Sequence, residues 1–326
     1  MTSRVHCELC PNGCVLDVNQ TSKCRTRINK DGTLYSLVYG KPCAVHVDPI
    51  EKKPFFHFLP GTTAFSLATA GCVLSCKFCQ NWQISQAKPD DTDTYSLSPG
   101  SVVKNAKKYR CSSIAYTYTE PTVFYEYMYD TAVIARKEGV KNTMHSCGYI
   151  NEKPLRVLSK YLDAADIDLK AFTEDFYSRI CGGSLKPVLK ALTVLKEEGV
   201  WLEITNLVIP TLNDDMKQIR KMSSWVVKNL GPDVPVHFSR FFPHYKLTNL
   251  PPTPLETLLS ARKTAMDAGI RFVYIGNIRH EGESTFCPSC KKTLVERIGY
   301  HVKQNNVRDG RCSFCSTSIA GVWSEK

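Results

Sequence analysis

The sequence predicts an α/β fold, a partial (βα)6-type TIM barrel with a small cysteine-rich module at each end. Two observations predict it. Between about residues 62 and 277, strand-like and helix-like segments alternate, which is typical of a parallel sheet built from βα units. On either side the sequence is turn-rich and bears cysteines, and such short flanks need a bound metal because they bury little core. We therefore predict an N-terminal module over residues 1–60, a barrel over 61–282 and a C-terminal module over 283–326.

Seven segments of the barrel range have the composition of strands. They are TTAFSLATA, SSIAYTYTE, VKNTMHS, DAADIDLK, VWLEITNLVIP, VPVHFSRF and IRFVYIGN. Pro99 and Pro121 predict where two of the intervening helices begin, and Gly139, Gly199 and Gly269 predict where three of them end. In barrels of this kind the chemistry gathers at the carboxyl ends of the strands.

The composition excludes some classes of protein. No stretch approaches the roughly 18 to 20 apolar residues that a membrane span needs, and the first residues lack the apolar run of a secretory signal. We therefore expect a cytoplasmic protein that does not bind a membrane. The net charge of +11 permits an acidic partner such as RNA. Because no run of five basic residues concentrates this charge, we expect a dispersed, solvated surface instead of a nucleic-acid site.

Fifteen cysteines indicate metal binding, because a reducing cytoplasm keeps thiols free of disulfides. Eleven of them fall into three groups: Cys7, Cys10, Cys14 and Cys24; Cys72, Cys76 and Cys79; and Cys287, Cys290, Cys312 and Cys315. The other four are isolated, and an isolated cysteine is usually a small buried hydrophobic residue. They are Cys43, Cys111, Cys147 and Cys181.

The group of three follows the first predicted barrel strand, in the segment GCVLSCKFCQNWQIS. An iron–sulfur cubane takes four thiolate-type ligands. Three cysteines at CxxxCxxC spacing therefore leave one iron open to a substrate or cofactor. The alternatives are a zinc site completed from elsewhere and a loop that is merely rich in cysteine.

This spacing, with Phe78 directly before the last cysteine, resembles the signature of radical S-adenosylmethionine (SAM) enzymes. The resemblance implies that Cys72, Cys76 and Cys79 hold a 4Fe-4S cluster whose open iron binds SAM. It implies further that one electron from the cluster cleaves SAM to methionine and a 5′-deoxyadenosyl radical, which takes a hydrogen from the substrate.

Other segments resemble further elements of that superfamily. YTEP is similar to the motif that meets the SAM ammonium, which implies Glu120 as its acceptor. IDLK resembles an element of pyruvate formate-lyase activating enzymes, which implies that Asp168 and Lys170 lie near the SAM carboxylate. The same resemblance places adenosine or substrate contacts at LVIP and at His237 and Arg240 of HFSRF.

These shorter motifs also have ordinary structural explanations. A Glu-Pro pair is often a helix start, and Asp-Leu-Lys is often a strand end with an ion pair. The chain also departs from the activating enzymes, because it has Ser146-Cys147-Gly148 where they have a Ser/Thr-Asn-Gly turn. Contacts of that asparagine therefore cannot be transferred, and the role of Cys147 stays open.

Both flanking groups can close a four-thiolate site. Cys287, Cys290, Cys312 and Cys315 form two CxxC knuckles, which is typical of a structural zinc ribbon, with rubredoxin-like iron as the alternative. The N-terminal group, Cys7, Cys10, Cys14 and Cys24, suits zinc and a second 4Fe-4S cluster equally. Cys43 and His46 could substitute as ligands there, although packing roles are the simpler prediction.

Over its full length the chain resembles the radical SAM member of the AmmeMemoRadiSam system, in the branch of pyruvate formate-lyase activating enzymes. The resemblance rests on long segments, among them CELCPNGC, DGTLYSLVYGKPCAVHVDPIEKKPFFHFLPG and HFSRFFPHYK. It implies Memo-like and AMMECR-like proteins as partners and an electron donor such as ferredoxin or flavodoxin.

We therefore predict a radical SAM enzyme of oxidoreductase type that abstracts hydrogen from a protein, peptide or small-molecule substrate. One alternative is an activase that installs a glycyl radical on a dedicated enzyme. Another is an RNA-binding or RNA-modifying zinc or iron–sulfur protein, which would bind RNA with a steep dependence on salt. The last is disfavoured because aromatic residues do not alternate with basic ones near the tail.

Overall fold

A computed structural model describes residues 3–324 of the protein. Its N-terminal part contains four short strands in two antiparallel pairs. They are β1 (Val5–His6) with β2 (Val15–Leu16), and β3 (Arg27–Lys30) with β4 (Thr33–Ser36).

The centre is an eight-stranded sheet in which seven strands run parallel in chain order and one edge strand, β5, runs antiparallel to β6. Its strands are β5 (Ala44–Pro49), β6 (Thr63–Ala68), β7 (Ser113–Tyr116), β8 (Lys141–Ser146), β9 (Ala164–Asp168), β10 (Trp201–Val208), β11 (Val236–Arg240) and β12 (Val273–Gly276). The α/β prediction is confirmed, and all seven predicted strand segments form the parallel strands. The edge strand extends the sheet into the range predicted as the N-terminal module.

Helices connect successive parallel strands, so that six crossovers join the seven strands. The helices are α1 (Trp82–Ser85), α2 (Pro99–Lys108), α3 (Tyr125–Lys137), α4 (Glu152–Ser159), α5 (Glu174–Phe176), α6 (Leu185–Glu197), α7 (Met216–Leu230) and α8 (Leu255–Asp267). A π-helical turn, Tyr177–Cys181, follows α5. Short 3-10 helices occupy Ile50–Lys52, Pro89–Asp91, Pro121–Phe124 and Glu281–Glu283.

The predicted helix boundaries follow from their local chemistry. Helix α2 begins at Pro99, and the hydroxyl of Ser98 caps it by accepting the main-chain N–H of Ser101. Gly139, Gly199 and Gly269 follow α3, α6 and α8 with φ of 74°, 75° and 106°. Because these angles are left-handed, glycine is the residue that ends each helix without strain.

Strand register brings polar side chains to one face of the sheet. His145 on β8 lies opposite Asp166 on β9, which lies opposite Glu203 on β10. One pleat further on, Asp168 lies opposite Thr205. Because successive side chains alternate between faces, all of these residues point to the same side, toward the interior of the barrel.

The C-terminal part packs on the last strand of the sheet. It contains a three-stranded antiparallel sheet and a short strand pair: β13 (Thr285–Phe286), β14 (Thr293–Ile298), β15 (His301–Asn305), β16 (Val307–Arg308) and β17 (Arg311–Cys312). Its apolar core, including Leu294 and Val295, is continuous with Phe272 and Tyr274 of β12 and with Phe56. The guanidinium of Arg297 donates to the carbonyl of Phe56 at 2.7 Å, which fixes the contact.

Across residues 3–324, none of the helices is long and apolar enough to cross a membrane.

Candidate active site

A cavity of about 480 Å³ opens at the carboxyl ends of the parallel strands. It lies where barrels carry their chemistry, and its size suits a nucleotide-like ligand. Its wall includes most of the residues that the sequence predicts for the site: Cys72, Cys76, Phe78, Cys79, Glu120, Asp168, Lys170 and His237. Arg240 does not belong to this wall.

The three-cysteine loop follows β6 and is held by main-chain contacts with the π-helical turn. The N–H of Ser75 donates to the carbonyl of Cys181 at 2.9 Å, and the N–H of Lys77 donates to that of Ile180 at 3.0 Å. Gly182, with φ of 74°, ends the turn directly beneath Ser75. These backbone hydrogen bonds therefore hold the loop against the π-helical turn.

The loop cysteines fit a cubane cluster better than a single ion. Within residues 3–324, only two groups of three or more metal-binding side chains have ligand atoms within 4.8 Å of one another, and these cysteines are in neither group. A tetrahedral zinc ion draws its thiolates to about 3.8 Å. In a cubane each thiolate binds a different iron, so the thiolates stand further apart. The residues present therefore fit a 4Fe-4S cluster, which Cys72, Cys76 and Cys79 would hold at the cavity wall.

Two further thiols lie beside the loop. Cys147, whose role the sequence left open, lines the cavity. Its main-chain N–H donates to Oε2 of Glu120 at 2.8 Å. Cys181 is fully buried next to Cys76. Burial raises the pKa of both Cys147 and Cys181 well above the ordinary value, so both are neutral thiols at pH 7.

Glu120 is held rigidly where β7 leads into the helical turn Pro121–Phe124. Its Oε1 accepts hydrogen bonds from the N–H and hydroxyl of Thr122 and from the hydroxyl of Ser146. Its Oε2 accepts one bond, from the N–H of Cys147. A carboxylate offers about four acceptor positions, two on each oxygen, so Oε2 keeps acceptor capacity. Glu120 therefore starts a helix and also lines the cavity.

Lys170 and Asp168 form an ion pair in the cavity wall, with 2.9 Å between Nζ and Oδ2. Burial lowers the pKa of Lys170, but the Asp168 carboxylate and the neighbouring cysteines together outweigh burial and raise this pKa well above its ordinary value. Burial also favours a neutral Asp168, but Lys170 and His145 outweigh it and lower the pKa of Asp168. The pair is therefore charged at neutral pH.

His145 is a cavity residue that the sequence analysis missed. Its Nδ1 lies 3.0 Å from Oδ1 of Asp166, and its Nε2 lies 3.5 Å from Oδ2 of Asp168. Burial lowers the pKa of His145, but the two carboxylates outweigh this effect and raise the pKa to about 10. No local motif marks His145, since it takes its place through the register of β8 and β9 alone.

His237 and Arg240 lie in different surroundings. His237 is buried at the floor of the cavity, with its Nε2 2.7 Å from Oε2 of Glu203. Nε of Arg240 donates to the carbonyl of Thr253 at 2.8 Å, and its guanidinium lies over the ring of Phe242. Only His237 of these two therefore faces the cavity.

A second polar cluster that the sequence analysis missed lies on the cavity wall contributed by the segment after β5. Nζ of Lys53 lies 2.5 Å from Oδ2 of Asp48, and the hydroxyl of Tyr118 donates to the same oxygen. Burial lowers the pKa of Lys53 to about 8 although Asp48 opposes this change. Tyr118 has a left-handed φ of 62°, a strained conformation typical of functional loops. Neither feature is visible in the sequence.

The C-terminal cysteines form a compact four-thiol site. The Sγ atoms of Cys287 and Cys315 lie 3.6 Å apart, those of Cys290 and Cys312 lie 3.7 Å apart, and all four lie within 4.8 Å of one another. This spacing matches the edge of about 3.8 Å of a tetrahedral site for one ion. The four residues therefore fit a single metal ion, as the CxxC knuckles predict.

An open cluster-binding loop after the first parallel strand of an α/β sheet defines the class: iron–sulfur enzymes that bind SAM. The sequence profile of the radical SAM superfamily matches residues 66–222, from β6 into α7. The chain belongs to the radical SAM superfamily, and membership implies a 4Fe-4S cluster and SAM.

Two curated proteins and one solved structure are similar to this chain. "Uncharacterized protein MJ0808" of Methanocaldococcus jannaschii is 46% identical over 97% of this chain and 95% of its own length. "Pyruvate formate-lyase-activating enzyme" of Clostridium pasteurianum is 22% identical over 49% of this chain and 67% of its own. The crystal structure of Streptococcus suis SuiB bound to precursor peptide SuiA has a TM-score of 0.53 at 14% identity, covering 71% of this chain and 52% of that one. The last comparison concerns the fold alone.

Proposed function

We propose that the protein uses SAM to abstract hydrogen from a protein, peptide or small-molecule substrate. Cys72, Cys76 and Cys79 would hold a 4Fe-4S cluster, which when bound supplies the electron that cleaves SAM to methionine and a 5′-deoxyadenosyl radical. One observation carries the proposal: the three loop thiols line the same cavity as the buried Glu120 carboxylate and the largely buried Lys170 ammonium.

The chain's own charged residues suit the two ends of the amino-acid part of SAM. Glu120 would accept the SAM ammonium on Oε2, which already accepts one hydrogen bond from the protein. Lys170 would bind the SAM carboxylate, with Asp168 holding its Nζ in position. Phe78 would pack beside them, since the Lys170 Nζ lies 5.7 Å from its ring centre. His237 would form part of the floor.

The substrate would meet the part of the cavity wall that Lys53, Tyr118 and His145 form. This part of the wall is polar, because it carries two charged groups and one hydroxyl group. Lys53 and His145 are cations at neutral pH, because their pKa values are about 8 and about 10. We infer that the substrate presents a polar group to this wall.

The C-terminal metal, the electron donor and the partner proteins are also part of this proposal. The C-terminal module, residues 283–326, would hold zinc, because four thiolates close a structural site. The electron would come from a ferredoxin or flavodoxin in the cytoplasm. Memo-like and AMMECR-like proteins are the candidate partners and substrates.

The release of 5′-deoxyadenosine tests the proposal. The Cys76→Ala variant should lose anaerobic, dithionite-dependent release, because two thiolates do not hold a cubane. Cys111→Ala is the matched control, since it removes an equally buried thiol outside the cavity wall (6% exposed, against 7% for Cys76). Release at the native rate from Cys76→Ala would refute the assignment.

A second candidate, a glycyl-radical activase, is favoured by the similarity to relatives named as activating enzymes. The two functions differ in product. An activase leaves a persistent glycyl signal in the electron paramagnetic resonance (EPR) spectrum of its partner, whereas a modifying enzyme leaves a mass change. EPR and mass spectrometry of the same incubation with a candidate partner decide between them.

A further inference from the structure

The four N-terminal cysteines converge on one enclosed space. Cys7 and Cys14 are joined by a main-chain hydrogen bond of 2.9 Å across the β1–β2 turn, and Cys24 approaches from the loop before β3. Together with Cys10 they line a small cavity that also touches Val73 of the three-cysteine loop. Four thiols around one cavity are more than core packing requires.

Their spacing differs from that of the C-terminal site. Within residues 3–324, Cys7, Cys10, Cys14 and Cys24 contribute no three sulfurs that lie within 4.8 Å of one another. The C-terminal cysteines have the separation of a one-ion site, 3.6 and 3.7 Å in two of their pairs. The N-terminal thiols are therefore more widely spaced than those of a one-ion site, as are Cys72, Cys76 and Cys79. Thiolates that each bind a different iron of a cubane need this wider separation.

The surroundings suit an anionic cluster. The hydroxyls of Ser22 and Thr26 lie 3.0 and 3.2 Å from Sγ of Cys24. Arg27, only 4% exposed, lines the same cavity, and its guanidinium also pairs with the carboxylate of Glu126 at 2.7 Å. Hydrogen bonds to sulfur and nearby charge stabilise and tune thiolate-bound iron.

The cavity shares a wall with the SAM-binding loop. The carbonyl of Cys24 packs so closely on Gly71 that a Cβ there would come within 2.7 Å of it. Nδ2 of Asn12 donates to the carbonyl of Val73 at 2.8 Å. Gly71 and Val73 are the residues directly before and after Cys72. The segment that carries the N-terminal thiols therefore contacts the main chain of the SAM-binding loop on both sides of Cys72.

We propose that Cys7, Cys10, Cys14 and Cys24 hold a second, fully ligated 4Fe-4S cluster that exchanges single electrons with the cluster of the SAM-binding loop. A low-potential one-electron donor such as reduced ferredoxin supplies the electron, which reduces the N-terminal cluster. Its transfer returns that cluster to the oxidised state and reduces the loop cluster. The exchange rests on the proposed function, whereas the second cluster itself does not.

The experiment counts iron, sulfide and zinc in the anaerobically reconstituted full-length chain. We expect about eight irons per wild-type chain and about four in the variant Cys72→Ala/Cys76→Ala/Cys79→Ala. After dithionite reduction, that variant should give an EPR signal of a 4Fe-4S cluster that SAM does not change. Cys10→Ala/Cys24→Ala should also hold about four irons, with a signal that SAM does change. Cys111→Ala is the control and should match the wild type.

The exchange has its own readout. With both clusters reduced, the wild-type EPR spectrum should show broadening from magnetic coupling, which is lost in either cysteine variant. Two results overturn the second cluster: a loop variant that holds no iron and about two zincs, one more than the C-terminal site accounts for, and a wild-type chain with only about four irons. The iron count of the wild-type chain requires no substitution. It therefore tests the second cluster even if a variant misfolds. Two clusters without coupling overturn the exchange, and loss of SAM cleavage alone concerns only the proposed function.

Discussion

Nζ of Lys170 lies 2.9 Å from Oδ2 of Asp168, and Asp168 in turn lies 3.5 Å from His145. These three residues come from the ends of neighbouring strands and form a chain of alternating charge along the cavity wall. Because each charge is stabilised by the next, removing one of them changes the protonation and position of the others.

Replacement of Asp168 by asparagine tests this dependence. Asp168→Asn removes the charge that raises the pKa of Lys170 and frees its Nζ to move. We expect SAM cleavage at limiting SAM to fall by about 10-fold, which corresponds to about 1.4 kcal/mol. The measurement is the rate of 5′-deoxyadenosine release at several SAM concentrations, with iron content measured alongside.

Asp233→Asn is the control for this variant. Asp233 pairs with Arg271 at 3.0 Å on the surface, where such a pair contributes little. It should retain wild-type rates. Equal rates in both variants would show that Asp168 has no part in SAM binding.

The pH dependence of stability tests the charge on His145. Its folded pKa of about 10 lies above the unfolded value of about 6.5. The stabilisation is therefore complete below about pH 6.5 and is lost as the pH rises through about 10. We expect the Tm of the wild type to fall more between pH 7 and pH 10 than that of His145→Gln. Parallel Tm profiles for the two proteins would contradict a charged His145.

Gly71 provides a test of the contact between the N-terminal segment and the cluster loop. Gly71→Ala places a Cβ 2.4 Å from Cγ2 of Thr26 and 2.7 Å from the carbonyl of Cys24. Gly139→Ala is matched, because its φ is also positive but no atom lies within 4 Å of the new Cβ. We expect about 1 kcal/mol of destabilisation from the backbone in the control. Gly71→Ala should lose about 3 kcal/mol and part of the iron, because the clash adds to the backbone cost.

Denaturant unfolding and iron analysis of both glycine variants make this measurement. Equal losses in the two variants would mean that the N-terminal segment does not press on the loop.

The C-terminal site should be structural. Cys290→Ser should lose about one zinc per chain and lower the Tm, because the core of this small module is closed by the four thiols and continues into β12. Iron content at the other sites should be unchanged. Zinc and iron analysis with thermal unfolding makes the measurement. Red, rubredoxin-like absorption of the wild type after removal of its cubane iron would contradict the zinc assignment.

Much of this architecture was predictable from local pattern. Hydrophobic periodicity and helix-ending glycines located all seven parallel strands, because both depend on neighbouring residues. The sequence analysis missed the edge strand β5. This strand pairs antiparallel with β6, so it is not part of the βα alternation, and its residues lie in the turn-rich flank. For the same reason the range predicted as a separate first module contributes Lys53 to the cavity.

The sequence by itself determined which thiols are grouped as candidate metal ligands, because the spacing of thiols along a loop is a property of adjacent residues. Only the tertiary structure decided which polar side chains share the cavity and how far apart each set of thiols stands. His145 meets Asp166 through strand register, and Lys53 meets Tyr118 although 64 residues of chain separate them. Such contacts depend on the packing of distant segments, which no short stretch of sequence encodes.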